Sequence, residues 1–133
     1  YGWNKNTRPL VGSRAQIQPS AVADLTKSIS LLKINDSVRV EIISNPAHGT
    51  VLINWYSNVN HPSDEIILDI INKTRDLTHK LGGYITIEQC PVRIKSIIDV
   101  WDNVSGTVTI MRKIKDQYDP NRVLNPGRYV GGI

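Results

Sequence analysis

Apolar and polar positions alternate in four short stretches of this 133-residue chain, and between those stretches the apolar residues recur at helical spacing. In Arg14-Ala15-Gln16-Ile17-Gln18, Ala15 and Ile17 fall on one face of an extended chain and Gln16 and Gln18 on the other. Pro19-Ser20 predicts a helix start, with Ser20 as N-cap and Val22, Leu25, Ile29 and Leu32 on one side. Asn35-Asp36 is turn chemistry. It precedes a strand, Val38-Arg39-Val40-Glu41-Ile42, whose Arg39 and Glu41 point outward. The Pro- and Gly-containing loop 45–49 joins that strand to Thr50–Tyr56 as a hairpin, with Val51, Ile53 and Trp55 inward and Asn54 and Tyr56 outward. Ser63 and the acidic pair Asp64-Glu65 suit a helix N-terminus, and Ile66, Ile67, Ile70, Ile71, Leu77 and Leu81 form a broad stripe. Gly82-Gly83 ends that helix, and Tyr84-Ile85-Thr86-Ile87-Glu88 is the fourth strand.

The order β-α-β-β-α-β is the split-βαβ, ferredoxin-like pattern: an α+β fold with a four-stranded antiparallel sheet and both helices on one face. It spans residues 14–89. Residues 1–13, polar and punctuated by Gly and Pro, form a lead-in arm. Residues 90–133 are additional to the core. They comprise a helix from about Ser105, with Val108, Met111, Ile114 and Tyr118 on one side, and a turn-rich tail from Asp119 that keeps enough apolar residues to dock on a surface. By strand parity the sheet's outward face collects Gln16, Gln18, Arg39, Glu41, Asn54, Tyr56, Tyr84, Thr86 and Glu88. Such a face is either simply solvated or the lining of a site closed by a second domain.

Composition narrows the chemistry. The net charge is +4 and the pI 9.3, but the basic residues are scattered, and Arg112-Lys113-Ile114-Lys115 is followed at once by Asp116. An RNA-stacking sheet would carry a Gly-aromatic-x-aromatic run on its third strand, where this chain has Gly49-Thr50-Val51-Leu52-Ile53, so a nucleic-acid partner is not expected. Cys90 is the single cysteine, which excludes an intrachain disulfide and fits a reducing, cytoplasmic setting. No apolar run approaches the ~18 residues of a membrane span. His48, His61 and His79 stand in a hairpin loop, a pre-helix loop and a helix without ligand spacing, so no metal is expected. No G-x-G-x-x-G or P-loop is present to cradle a pyrophosphate, and no catalytic residue stands out. The chain starts at Tyr1 in place of Met, which suggests a piece of something larger.

One segment is more specific. Met111-Arg112-x-x-Lys115-x-x-Tyr118-Asp119-Pro120-x-x-x-Leu124-Asn125-Pro126-Gly127-Arg128 resembles the C-terminal signature of the FAD-linked oxidases that include the FAD-binding subunit of glycolate oxidase. The resemblance extends over Leu77 to Ile133, and the strand Ala15–Gln18 with Pro19-Ser20 looks like the start of that family's substrate domain. It implies a two-domain flavoenzyme whose FAD-binding domain is not in this chain, and a ferredoxin-like domain that covers the flavin ring and helps form the substrate pocket. Asn125 would lie near the FAD, with Pro126, Gly127 and Arg128 shaping a type II turn. The implied reaction is oxidation of a small 2-hydroxy acid such as glycolate to the 2-oxo acid, with an iron-sulfur or other oxidase subunit as a further partner. Arg39, Asn54, Tyr56 and Tyr84 are the substrate-facing candidates on the sheet, and Arg39 or Arg128 could grip a carboxylate. Some relatives carry a metal-binding His-x-x-G-x-G-Asn-x-His pattern. This chain has only Ala47-His48-Gly49-Thr50 there, which argues against a metal. The competing reading is a stand-alone ferredoxin-like module that binds a ligand or protein through its sheet.

Overall fold

The computed structural model describes residues 8–102 and 105–133. The lead-in arm expected over residues 1–13 therefore lies partly outside the described residues, at positions 1–7. Strands β1 (Val11–Gln16), β2 (Val38–Asn45), β3 (Thr50–Ser57) and β4 (Tyr84–Gln89) alternate with helices α1 (Val22–Ser30) and α2 (Asp64–Lys80). The sheet order is β2-β3-β1-β4 with every pairing antiparallel, which is the ferredoxin-like arrangement that the alternation predicts. The inward residues named from parity, Val51, Ile53 and Trp55 on β3 and Ile85 and Ile87 on β4, are buried together with Leu25, Ile29, Ile67, Ile70 and Ile71 of the helices. Each such side chain contributes about 1.5–3 kcal/mol by leaving water.

The first strand corrects the sequence reading at both ends. It starts at Val11, inside the expected arm, and stops at Gln16, so Gln18 lies beyond it. The polar Ser13 concealed the pattern. It sits on the core side at 2% exposure because its hydroxyl donates to the Ile53 carbonyl at 3.2 Å. Nor does Ser20 cap α1. Pro19–Ala21 forms a 3-10 turn, and α1 starts from Ala21 without a side-chain cap bond, because the turn has already oriented the chain.

In α2 the expected cap is present: Ser63 Oγ accepts from the Ile66 N–H at 3.4 Å. The stripe differs from the expectation at its C-terminal end. Thr74 and Thr78 take the buried positions, whereas Leu77 and Leu81 are only partly buried at the core margin. Burial of the two threonines is tolerable because their hydroxyls donate to the carbonyls of Ile70 and Thr74 at 2.7 and 2.9 Å.

The β2–β3 hairpin closes at Asn45↔Thr50 over a 3-10 turn, Pro46–His48. Gly49 has φ 64°, and a Cβ there would stand 1.9 Å from the Ile17 carbonyl oxygen, so only glycine fits. The approach lets Ile17 N–H donate to the Gly49 carbonyl at 2.8 Å, which locks the hairpin end to β1.

This compact unit continues past β4 to Val100. Cys90, a short helix α3 (Val92–Lys95) with fully buried Ile94, and the half-buried Ile98 and Val100 pack on the core. A second compact unit begins at Trp101. It holds α4 (Ser105–Tyr118) and the tail, which ends in a 3-10 turn at Val130–Gly132. Val108 and Met111 are half-buried, but Ile114 and Tyr118, expected on the same side, are 53% and 78% exposed. Trp101 meets Tyr129 edge-on with ring centroids 5.4 Å apart. No described helix is long and apolar enough to cross a membrane.

Candidate functional site

An ion pair placed one helical turn apart holds the tail, and a longer one, Arg122 to Asp116 at 3.5 Å, joins it to α4. Lys115 on α4 bonds Asp119, which is 5% exposed, and its ammonium also donates to the Leu124 carbonyl. The Asp119 carboxylate in turn accepts the backbone N–H groups of Val123 and Leu124 at 2.9 and 3.0 Å, and the Arg122 N–H donates to the Asp119 carbonyl at 3.0 Å. The chain is thereby looped back onto the end of α4. The Lys115 hydrogen bond, with the two backbone donors adding to it, outweighs burial and lowers the Asp119 pKa to about 2.

Beyond that loop, Arg128 N–H donates to the Asn125 carbonyl at 3.3 Å, and Gly127 has φ 72°. With Pro126 at the preceding corner this is the type II turn predicted from Pro126-Gly127. Asn125 itself has φ 46°, a left-handed conformation uncommon for a residue with a side chain. Between α4 and the tail lies an open groove of about 760 Å³. Its apolar wall includes Met111, Ile114 and Leu124, with Tyr118 and Tyr129 as aromatic borders and Asn125 and Arg128 as polar ones. Pro126 and Gly127 border a smaller depression of about 60 Å³ beside Arg122. Of the four tail residues singled out from the sequence, two therefore line the groove and two build the turn that presents them.

Among the described residues of the first unit, no helix covers the sheet's outward face. Arg39 and Tyr56 are cross-strand partners on β2 and β3, with the Arg39 guanidinium 4.6 Å from the Tyr56 ring centroid. Arg39 also bonds Glu41 at 2.5 Å. That bond holds the Glu41 carboxyl below its usual value, while desolvation and the adjacent Glu41 raise the Tyr56 hydroxyl. Asn54 pairs with Glu41 on one side and Gly12 on the other. Arg39, Asn54 and Tyr56 are thus brought together. Tyr84 is not, since it pairs with Gln16 across β1, at the end of the sheet where Gln16 meets Thr50. Exposed Ile43 and its partner Leu52 stand on the same outward face and border a depression of about 490 Å³.

Two features escaped sequence reasoning. Ile43 lies past Ile42, where the predicted strand stopped, and one more step of alternation would have placed it outward. The Lys115–Asp119 pair was visible as an i, i+4 opposite-charge spacing. Among the described residues no group of three His, Cys, Asp or Glu side chains could hold a metal ion. No known family, curated protein or solved structure matches the chain.

Proposed function

We propose that the chain is the substrate-side domain of an FAD-dependent oxidoreductase that oxidises a small 2-hydroxy acid such as glycolate. The reading rests on the tail, where the Asn125-Pro126-Gly127-Arg128 turn presents an amide and a guanidinium at the border of a groove with apolar and aromatic walls. These residues fit a flavin. A flat ring with one polar edge suits an apolar floor, and the turn sets the Asn125 amide at the border of that floor. When bound, FAD supplies the hydride acceptor. This chain would supply orientation and charge. Asn125 would offer its amide to the polar edge of the ring, and Tyr118 and Tyr129 would keep water from its apolar part. Arg128, at the border of the same groove, would hold the substrate carboxylate. The binding of FAD's pyrophosphate would fall to a separate FAD-binding domain, because this chain has no glycine-rich phosphate loop. Cytoplasmic placement and an iron-sulfur partner subunit belong to the same proposal.

The experiment compares the 133-residue chain with the protein expressed from its entire reading frame. The chain alone is expected to be colourless. The entire protein should purify yellow with about one FAD and reduce a redox dye when given glycolate or lactate. Asn125→Ala should weaken the flavin's retention or alter its absorbance without unfolding the protein. A full-length protein free of flavin and inert toward hydroxy acids overturns the proposal, and tight stoichiometric FAD binding by the 133-residue chain overturns the assignment of the pyrophosphate to another domain.

A further inference from the structure

The sheet's two edges are treated differently. Along β4, the Ile87 N–H donates to the Val100 carbonyl at 2.8 Å, and a register shift between Gly12 and Ser13 interrupts the β1–β4 ladder. Segment and bulge together blunt that edge. On β2 the ladder with β3 runs from Val38 to Asn45 with no shift, and the strand contains neither Pro nor Lys. The Ser37 carbonyl accepts from the Asn58 N–H at 3.0 Å, so by antiparallel alternation Arg39, Glu41 and Ile43 bond to β3. Val38, Val40 and Ile42 then turn their backbone groups to the edge. The Val38 N–H bends back to the Asn35 carbonyl at 3.3 Å, which leaves the Val38 carbonyl and both groups of Val40 and Ile42 facing outward.

We propose that β2 pairs antiparallel with β2 of a second copy of this chain, about a two-fold axis through Val40, so that the two sheets become one. The strand's own charge pattern selects this partner and register. With Val40 opposite Val40 of the partner subunit, Arg39 faces Glu41 of the partner subunit and Glu41 faces Arg39 of the partner subunit, so the Arg39–Glu41 pair within each strand meets its counterpart as a four-charge cluster of alternating sign on the outward face. On the helix side, half-buried Val38 lies opposite Ile42 of the partner subunit, and the apolar layer continues across the seam. The neighbouring registers fail. An axis through Arg39 sets Arg against Arg, one through Glu41 sets Glu against Glu, and one through Ile42 sets Arg39 against Asn45 and Glu41 against Ile43. A single-strand seam buries little surface, so the association is expected in the micromolar range.

Sedimentation velocity on the 133-residue chain, from roughly 1 to 500 μM, should show a reversible monomer–dimer equilibrium. Arg39→Glu and Glu41→Arg should each raise the dissociation constant roughly tenfold or more. An equimolar mixture of the two variants should associate again, because the acidic strand of one meets the basic strand of the other. Val40→Pro should abolish the dimer and leave the fold intact, since the Val40 N–H points away from β3. Circular dichroism melts establish that each variant is folded. A wild-type chain that stays monomeric throughout, a dimer that survives Val40→Pro, or folded charge variants that fail to complement each other overturns the proposal.

Discussion

Acidification offers the most direct test of how the tail is built. Asp119 is held by the Lys115 ammonium and by the Val123 and Leu124 N–H groups, and its carboxyl titrates at about 2 where 3.8 is ordinary. Its pKa in the folded chain is thus depressed. The carboxylate's contribution is therefore fully present above the ordinary value and is lost as pH falls through about 2. The amide resonances of Val123 and Leu124 report directly on the two bonds. In a heteronuclear correlation series they should stay constant from neutral pH down to about 3, then move together with the Asp119 carboxyl carbon at a midpoint near 2. Asp119→Asn keeps the shape but removes the charge, and should leave both amides shifted and exchange-labile at neutral pH. Lys115→Met removes both the ammonium's hydrogen bond and its charge, so the midpoint should climb toward 3.8 while both backbone bonds persist above it. A midpoint near 3.8 in the unmodified chain, or amides indifferent to Asp119→Asn, would falsify this account of the tail.

Two further outcomes test the first unit. Gly49→Ala should cost about 2–3 kcal/mol in urea unfolding, combining the left-handed penalty of about 1–2 kcal/mol with loss of the Ile17–Gly49 bond at about 1 kcal/mol; a loss below about 1 kcal/mol contradicts the clash with the Ile17 carbonyl. Burial raises the Cys90 thiol, with Lys95 opposing it more weakly, so disulfide reagents should modify it slowly at neutral pH and quickly in urea. Native-state modification as fast as that of a free thiol contradicts this placement.

The fold was legible because its signal is parity. β3 and β4 alternate cleanly, and a two-residue period admits no intermediate register, so the inward sets follow from the sequence alone. The misreadings at Ser13, Thr74 and Thr78 share one cause: a polar residue whose hydrogen bond is made inside the fold. Ser13 looks like loop until the Ile53 carbonyl opposite it is known, and Thr74 and Thr78 look solvated until their own helix carbonyls are seen to accept from them. Tertiary distance conceals the first and local back-bonding the others. The hidden role of Gly49 is also tertiary, because the carbonyl that forbids a side chain belongs to Ile17.

The candidate site was legible in a different way. The spaced tail motif mixes residues that build with residues that present, and sequence cannot separate them. Lys115 and Asp119 are consumed by closing the loop, and Pro126 and Gly127 by forming the turn. That accounts for four motif positions by folding alone. It does not account for Tyr118, which is 78% exposed on the groove. Asn tolerates the left-handed conformation better than other residues with a side chain, so the turn alone admits Asn125, and its amide also borders the groove beside exposed Tyr118. Asn125→Gly separates the two roles. If the amide serves the fold, the chain should lose stability; if it serves the proposed flavin, stability should hold or rise while the flavin retention of the proposed longer protein falls.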